Sequence, residues 1–91
     1  MNEISIDKMS PGERGIVLRL THIGDMRRRM SEIGFSRGAE LECVGVSPLG
    51  DPRAYLVKGA VFAVRQSDAK GVLVIPFASD QPNTSSTDQR V

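Results

Sequence analysis

The stretch that decides the fold runs from residue 15 to residue 38 and reads GIVLRLTHIGDMRRRMSEIGFSRG. In its first six residues, Ile16, Leu18 and Leu20 alternate with Val17 and Arg19. This period of two predicts a strand with one buried face. After residue 20 the period changes, so we expect the strand to be followed directly by a helix.

The helix is predicted over residues 23–33, where apolar residues recur at steps of three and four. They are Ile23, Met26, Met30 and Ile33. This spacing places them on one side of an α-helix. Thr21 is the predicted N-cap. Gly34 is predicted to end the helix because glycine adopts the left-handed conformation without strain, and Phe35 then folds back onto the last turn.

The rest of the chain is β in character. Alternation predicts strands at residues 40–46 and 53–57, and at 61–65 after a tight turn at Lys58 and Gly59. Residues 66–70 have room for one helical turn only, and residues 72–75 form a last strand that is apolar on both faces. Residues 4–6 are a short extended lead-in. The fold class is therefore mainly β. We predict a small SH3-like five-stranded barrel with one α-helix inserted after the first strand and a short helical turn before the last strand.

The barrel domain is assigned to residues 1–77. Residues 78–91, ASDQPNTSSTDQRV, are polar and have no period. Such a segment buries too little apolar surface to offset its ordering entropy, which predicts a disordered tail.

Composition limits the classes of function. The chain has 91 residues with a formal net charge of +1, and its aromatic residues are three Phe and one Tyr. Nucleic-acid binding is therefore not expected, although a nucleic-acid-associated small barrel stays an alternative. No apolar run approaches the ~20 residues that a membrane-spanning helix needs, and no signal peptide is visible. A single cysteine excludes an internal disulfide and fits the cytoplasm.

No catalytic residue is predicted, and we expect the chain not to be an enzyme. Cys43 shares a strand face with Leu41 and is interpreted as a buried small hydrophobe. His22, Asp25 and Glu42 are weak candidates for metal ligands, since Fe²⁺ prefers imidazole and carboxylate groups. We expect no cofactor beyond a weakly bound Fe²⁺ or other divalent ion.

Two regions are predicted to contact a partner protein. On the helix, the triple arginine at residues 27–29 is interpreted either as solvated charge or as a surface that recognises an acidic partner. The second region is the loop over residues 48–52, because loops on a rigid scaffold commonly carry binding sites. The candidate residues are Met26, Arg27, Arg28, Pro48, Leu49, Asp51 and Tyr55.

The order of these motifs resembles the ferrous iron transport protein A (FeoA) family. The resemblance rests on MSPG at residues 9–12, RMSEIGFSRG at 29–38, PLGDP at 48–52, AVR at 63–65, and Ala69 ahead of GVLV at 71–74. It implies an SH3-like fold and an accessory or regulatory role in bacterial ferrous iron uptake. The implied partner is the membrane permease that carries a cytosolic GTPase domain.

Three hypotheses follow for the function. The first is a cytoplasmic protein, not itself inserted in the membrane, that binds this permease. The second is an iron carrier or sensor, and the third is a nucleic-acid-associated barrel. The sequence leaves open the oligomeric state, including a homo-oligomer, the binding face, direct metal binding, the role of the tail, and whether the protein activates, assembles or inhibits transport.

Overall fold

The chain forms six strands and two helices within residues 2–77, which are the residues that the computed structural model describes. The predicted tail at residues 78–91 lies outside them. The strands are β1 (Ile4–Ser5), β2 (Arg14–Leu20), β3 (Glu40–Val46), β4 (Arg53–Val57), β5 (Ala60–Val64) and β6 (Val72–Phe77). The helices are α1 (Gly24–Ile33) and α2 (Gln66–Ala69), and a 3₁₀ turn spans Ile6–Lys8. None of the helices in this part of the chain has the length and apolar character needed to cross a bilayer.

All six strands join one antiparallel sheet in the order β1-β6-β2-β3-β4-β5. The prediction of a mainly β fold with one long helix and a short helical turn before the last strand is confirmed. The predicted number of five strands is too low by one, because the lead-in at Ile4 and Ser5 pairs with Val74 and Leu73 of β6. A strand of two residues shows no period of its own, so only this long-range pairing identifies it.

The sheet curls so that its two ends approach each other. Tyr55 on β4 donates its hydroxyl to the carbonyl oxygen of Ile6 at 2.9 Å, although β4 and β1 lie near opposite ends of the sheet. The Arg53 guanidinium donates to the carbonyl oxygen of Met9 in the same region. Inside the curl, Phe35 packs edge-on against Tyr55 with ring centroids 6.2 Å apart. These side chains therefore close the barrel where strand pairing does not.

The buried face of β2 differs from the prediction. Val17 is buried, whereas Ile16, predicted to alternate with Leu18 and Leu20 on a common face, is 38% exposed. The pairing register of β2 with β6 shifts between Val17 and Arg19. Such a bulge changes which residues face the core, and it depends on the neighbouring strand.

Of the predictions for the two ends of α1, the one for the C-terminal end is confirmed and the one for the N-terminal end is wrong. Gly34 ends the helix with φ +128°, as expected, and the Phe35 N–H returns to the Met30 carbonyl at 3.1 Å. Thr21 is not the N-cap. The helix begins at Gly24, and the N-cap residue is Ile23, which is extended at φ −125° and makes no side-chain capping hydrogen bond.

The β4–β5 hairpin confirms the predicted tight turn. Lys58 and Gly59 both have positive φ, at 51° and 79°. Two consecutive residues of this kind form the turn whose twist matches that of antiparallel strands. The register that follows pairs Val57 with Ala60 and Arg53 with Val64.

Candidate interaction surface

The predicted contact residues of α1 differ in their exposure and in their bonds to the rest of the protein. Met26 is half-buried. Arg27 is exposed, yet its guanidinium donates to the Leu20 carbonyl at 2.8 Å and so ties α1 to the end of β2. Arg28 is exposed and pairs with Asp25 at 3.1 Å, one turn earlier on the same helix. Arg28 is therefore available to a partner, whereas Arg27 also holds the fold.

The loop between β3 and β4 presents its central residues to solvent. Pro48 is exposed, and Leu49 is 95% exposed. Asp51 is exposed as well, but its Oδ1 accepts the backbone N–H of Gln66 at 2.9 Å. Asp51 thereby satisfies a free N–H at the start of α2, and it anchors the loop that carries Leu49.

Tyr55 does not belong to an interaction surface. It is 0% exposed, with its ring among core residues and its hydroxyl bonded to Ile6. Burial raises its pKa to about 12, despite the Arg53 guanidinium whose hydrogen bond opposes the shift. The prediction of Tyr55 as a contact residue is therefore wrong, because its side chain is buried. A tyrosine in alternating sequence can face either way, and the sheet turns this one inward.

The helix region and the loop region are both attached to α2. His22, which precedes α1, lies with Nε2 2.7 Å from the Asp68 carbonyl, and the Thr21 N–H donates to the Gly71 carbonyl at 2.8 Å. Gly71 makes this contact possible, because a Cβ there would lie 2.5 Å from His22 Nε2. Asp51 accepts a hydrogen bond from Gln66 at the other end of α2. The start of α1 and the 48–52 loop are therefore both held in place by α2.

Sequence reasoning missed Ile23 as a surface residue. The helical period predicts Ile23 on the apolar stripe of the helix, whereas its side chain is 85% exposed. The period alone could not show that α1 begins one residue later, which turns this side chain away from the core.

A groove of about 270 Å³ between α1 and β5 was also missed. Met26, Met30 and Ile33 line it from the helix, Ala63, Val64 and Arg65 from β5 and the residue after it, and Arg29 and Asp68 complete it. No sequence signal identifies it, because it forms between elements that are distant along the chain.

The three candidate metal ligands lie on separate elements. His22 lies in the segment before α1, where its Nε2 is hydrogen-bonded to the Asp68 carbonyl. Asp25 lies on α1 and pairs with Arg28, and Glu42 lies on β3. Residues 2–77 contain no group of three or more His, Cys, Asp or Glu side chains placed to hold a metal ion. These residues therefore do not form a joint site within the described chain.

Cys43 is buried, with 0% exposure, as the sequence predicts. Its thiol lies 3.8 Å from the carbonyl oxygen of Gly45 on the same strand. A thiol in that position has no access to a substrate from solvent. Around α1 and the 48–52 loop, the described residues expose apolar side chains, Ile23 and Leu49, and the basic side chain of Arg28.

The chain matches the family model of the FeoA domain over residues 4–76 and belongs to that family. Among curated proteins, it is 27% identical over 75 residues to a fusion of Fe(2+) transport protein A with Fe(2+) transporter FeoB from Porphyromonas gingivalis. The match covers 82% of this chain and 9% of the fusion protein. The chain thus spans about a tenth of the length of this relative.

Solved structures agree with the family and with the fold. A FeoA-like protein from Clostridium acetobutylicum superposes with a TM-score of 0.80 at 25% identity, covering 91% of this chain and 96% of that one. FeoA from Stenotrophomonas maltophilia, solved in complex with zinc and described as a prokaryotic SH3 domain protein, gives a TM-score of 0.70 at 30% identity. That match covers 79% of this chain and 89% of the other. The predicted family and SH3-like fold are confirmed.

Proposed function

We propose that this protein is an accessory or regulatory subunit of ferrous iron uptake that acts in the cytoplasm by binding the iron permease. The family match links the chain to ferrous iron transport. The relative that joins a FeoA-like and a FeoB-like part in one polypeptide supports the choice of partner. Fusion keeps two parts at a high effective concentration, which benefits parts that work in contact.

The observation that carries the proposal is the exposure of two large apolar side chains on anchored segments. Leu49 is 95% exposed and Ile23 is 85% exposed. Burying one such side chain against a partner contributes about 1.5–3 kcal/mol. Because Asp51 and His22 bind opposite ends of α2, both segments are held before a partner arrives, which lowers the entropy lost on binding.

Binding, and not catalysis, is the activity that these side chains support. Within residues 2–77, Cys43 is buried, Asp25 and Glu40 are paired with arginines, and the group whose pKa burial raises to about 12, Tyr55, is itself inaccessible. A reactive site needs an accessible group with an altered pKa beside a second functional group. The exposed groups around α1 and the loop offer contact area and charge.

The test is calorimetric titration of the full chain with the cytosolic domain of its own organism's ferrous iron permease. Leu49→Ser and Ile23→Ser are each expected to weaken binding about tenfold, since each removes an apolar contact worth at least 1.4 kcal/mol. Both side chains are exposed, so the variants should retain the wild-type melting temperature.

Val44→Thr is the matched control. Val44 is 39% exposed on β3 and belongs to neither predicted region, so this variant should bind as the wild type does. The absence of wild-type binding at both low and moderate salt would refute the proposed partner. Equal affinity of all three variants would instead place the contact elsewhere on the surface.

A further inference from the structure

Within residues 2–77, one edge of the sheet is a strand whose outer hydrogen-bonding groups are unpaired. β5 is the last strand in the sheet order and pairs with β4 on one side. Lys58 and Gly59 have the two positive φ angles of a two-residue hairpin turn, and the register pairs Val57 with Ala60. In such a turn the two flanking residues form a hydrogen-bonded pair. Because such pairs alternate along an antiparallel ladder, Val61 and Ala63 direct their N–H and C=O groups away from β4.

Those outward groups have no partner in the described chain. Among the backbone hydrogen bonds within residues 2–77, none outside the β4–β5 ladder involves Val61 or Ala63. Val61 is 60% exposed. β5 reads AVFAV, so it lacks the charged residues, prolines and bulges with which exposed edges usually prevent pairing.

The groove beside this edge adds side-chain specificity. It lies between α1 and β5, has a volume of about 270 Å³, and has Ala63 and Val64 on one wall and Met26, Met30 and Ile33 on the other. An extended segment that pairs with β5 would place alternate side chains toward this groove. Methionine-rich walls accommodate varied apolar side chains.

The charged residues that line the groove favour an acidic partner segment. Arg29 and Arg65 line it against a single acidic residue, Asp68. Neither arginine forms a salt bridge within the described residues. An incoming segment with acidic residues beside its apolar ones would therefore be attracted to this site.

A second copy of the chain fits the edge less well. Antiparallel pairing of two β5 strands through their outward groups would set Val61 opposite Ala63 of the other copy. In that register Lys58 of each copy comes within one residue of Arg65 of the other, so basic groups gather at both ends of the pair. The tail at residues 78–91 is also a poor occupant, because Ala78 and Val91 are its only apolar residues.

We infer that the outer edge of β5, together with the α1–β5 groove, binds an extended acidic and apolar segment of the partner protein as an added β-strand. This inference rests on the proposed function, and it adds a second contact surface, with its recognition mode, to the contacts proposed for Leu49 and Ile23. The backbone of Val61 and Ala63 supplies register and affinity, the groove takes an apolar side chain, and Arg29 and Arg65 receive the acidic ones.

The experiment compares two substitutions at one position in titrations with the permease's cytosolic domain. Val61→Pro removes an N–H that points away from β4, so the hairpin keeps its own hydrogen bonds, and proline is tolerated on such an edge. It is expected to weaken binding at least tenfold. Val61→Thr keeps the N–H and should bind within about twofold of the wild type. Arg65→Glu should weaken binding at least fivefold at low salt, with a smaller effect at high salt.

Hydrogen exchange gives a readout that does not depend on how Val61→Pro folds. In the wild-type chain, the amides of Val61 and Ala63 should exchange rapidly when free and at least tenfold more slowly in the complex. Unchanged exchange at both amides, or wild-type affinity of Val61→Pro, would overturn the inference while the permease contact stands. If the wild type fails to bind at all, the proposed function fails first.

Two further outcomes would also overturn it. Slow exchange of both amides in the free chain, together with sedimentation as a dimer, would show that a second copy occupies the edge. Slow exchange in the free monomer that becomes fast when residues 78–91 are deleted would show that the tail does.

Discussion

The Tyr55 hydroxyl donates a 2.9 Å hydrogen bond to the main-chain carbonyl of Ile6, 49 positions earlier in the chain. This bond joins β4 to the turn after β1, two elements near opposite ends of the six-stranded sheet. It therefore holds the sheet in its curled form, and its removal should lower the free energy of unfolding of the whole domain.

Tyr55→Phe is expected to lower the free energy of unfolding by about 1–3 kcal/mol at pH 7. The ring still fills the core, but the Ile6 carbonyl and the Arg53 guanidinium each lose a partner. Urea unfolding followed by circular dichroism measures the difference. A variant as stable as the wild type would show that the hydroxyl bond does not hold the sheet.

The same tyrosine should make the wild type less stable at alkaline pH. Its pKa is raised from 10.0 to about 12 because burial disfavours the phenolate. Between these values the unfolded chain binds fewer protons than the folded one, so the stability present below pH 10 declines as the pH rises toward 12. The loss amounts to roughly 2–3 kcal/mol when complete. Urea unfolding of wild type and Tyr55→Phe between pH 8 and 11.5 should show the two curves converging, whereas parallel curves would contradict the assignment.

Gly71→Ala should destabilise the protein by about 1–3 kcal/mol, as overpacking does. A Cβ at this position lies 2.5 Å from His22 Nε2, so the ring must leave and lose its contact with the Asp68 carbonyl. Gly45→Ala is the control, because its new Cβ meets only the Ala54 Cβ at 4.0 Å. In a double-mutant cycle, His22→Ala should remove much of the cost of Gly71→Ala. Strictly additive effects would refute a direct clash.

Arg27 and Arg28 are expected to behave differently although they are adjacent. Arg27→Ala removes a 2.8 Å bond to the Leu20 carbonyl and should cost about 1 kcal/mol of stability. Arg28→Ala breaks only a solvent-exposed pair with Asp25 and should change stability by less than about 0.5 kcal/mol. Thermal unfolding of the two variants in parallel checks this order, and a larger loss for Arg28→Ala would reverse it.

Asp51→Ala should loosen α2 and the loop together. Its Oδ1 accepts the Gln66 N–H at 2.9 Å, and losing such a helix-start acceptor costs about 0.5–2 kcal/mol. Amide exchange at Gln66 should accelerate. Asp51→Asn, which keeps an oxygen acceptor, should restore most of the protection. Equal exchange in wild type and Asp51→Ala would mean that water replaces the carboxylate without cost.

Local chemistry made much of this architecture predictable. The change of period at residue 21, the left-handed glycine at Gly34 and the turn at Lys58 and Gly59 all lie where the sequence predicts them. Each depends on a few consecutive residues whose backbone preferences are their own. The same alternation predicts that Leu41 and Cys43 share a buried face, and both side chains are buried.

The candidate surface was less predictable. The prediction of a loop at residues 48–52 is confirmed, because prolines and glycines mark loops wherever they occur, and Leu49 is exposed there. It could not assign Tyr55 to the interior or Ile23 to the exterior. Alternation indicates that two faces differ, but only the packing of the sheet and the start of α1 decide which face is covered.

The sequence by itself therefore determined the kinds of elements, their order, the family and the mainly β class. The tertiary structure alone decided the sixth strand, the bulge in β2, the Tyr55–Ile6 closure and, within residues 2–77, the unpaired edge of β5 beside its groove. The division has one physical reason. Helices and turns form through interactions between residues a few positions apart, whereas strand pairing and barrel closure join distant segments whose meeting depends on how the whole sheet twists and curls.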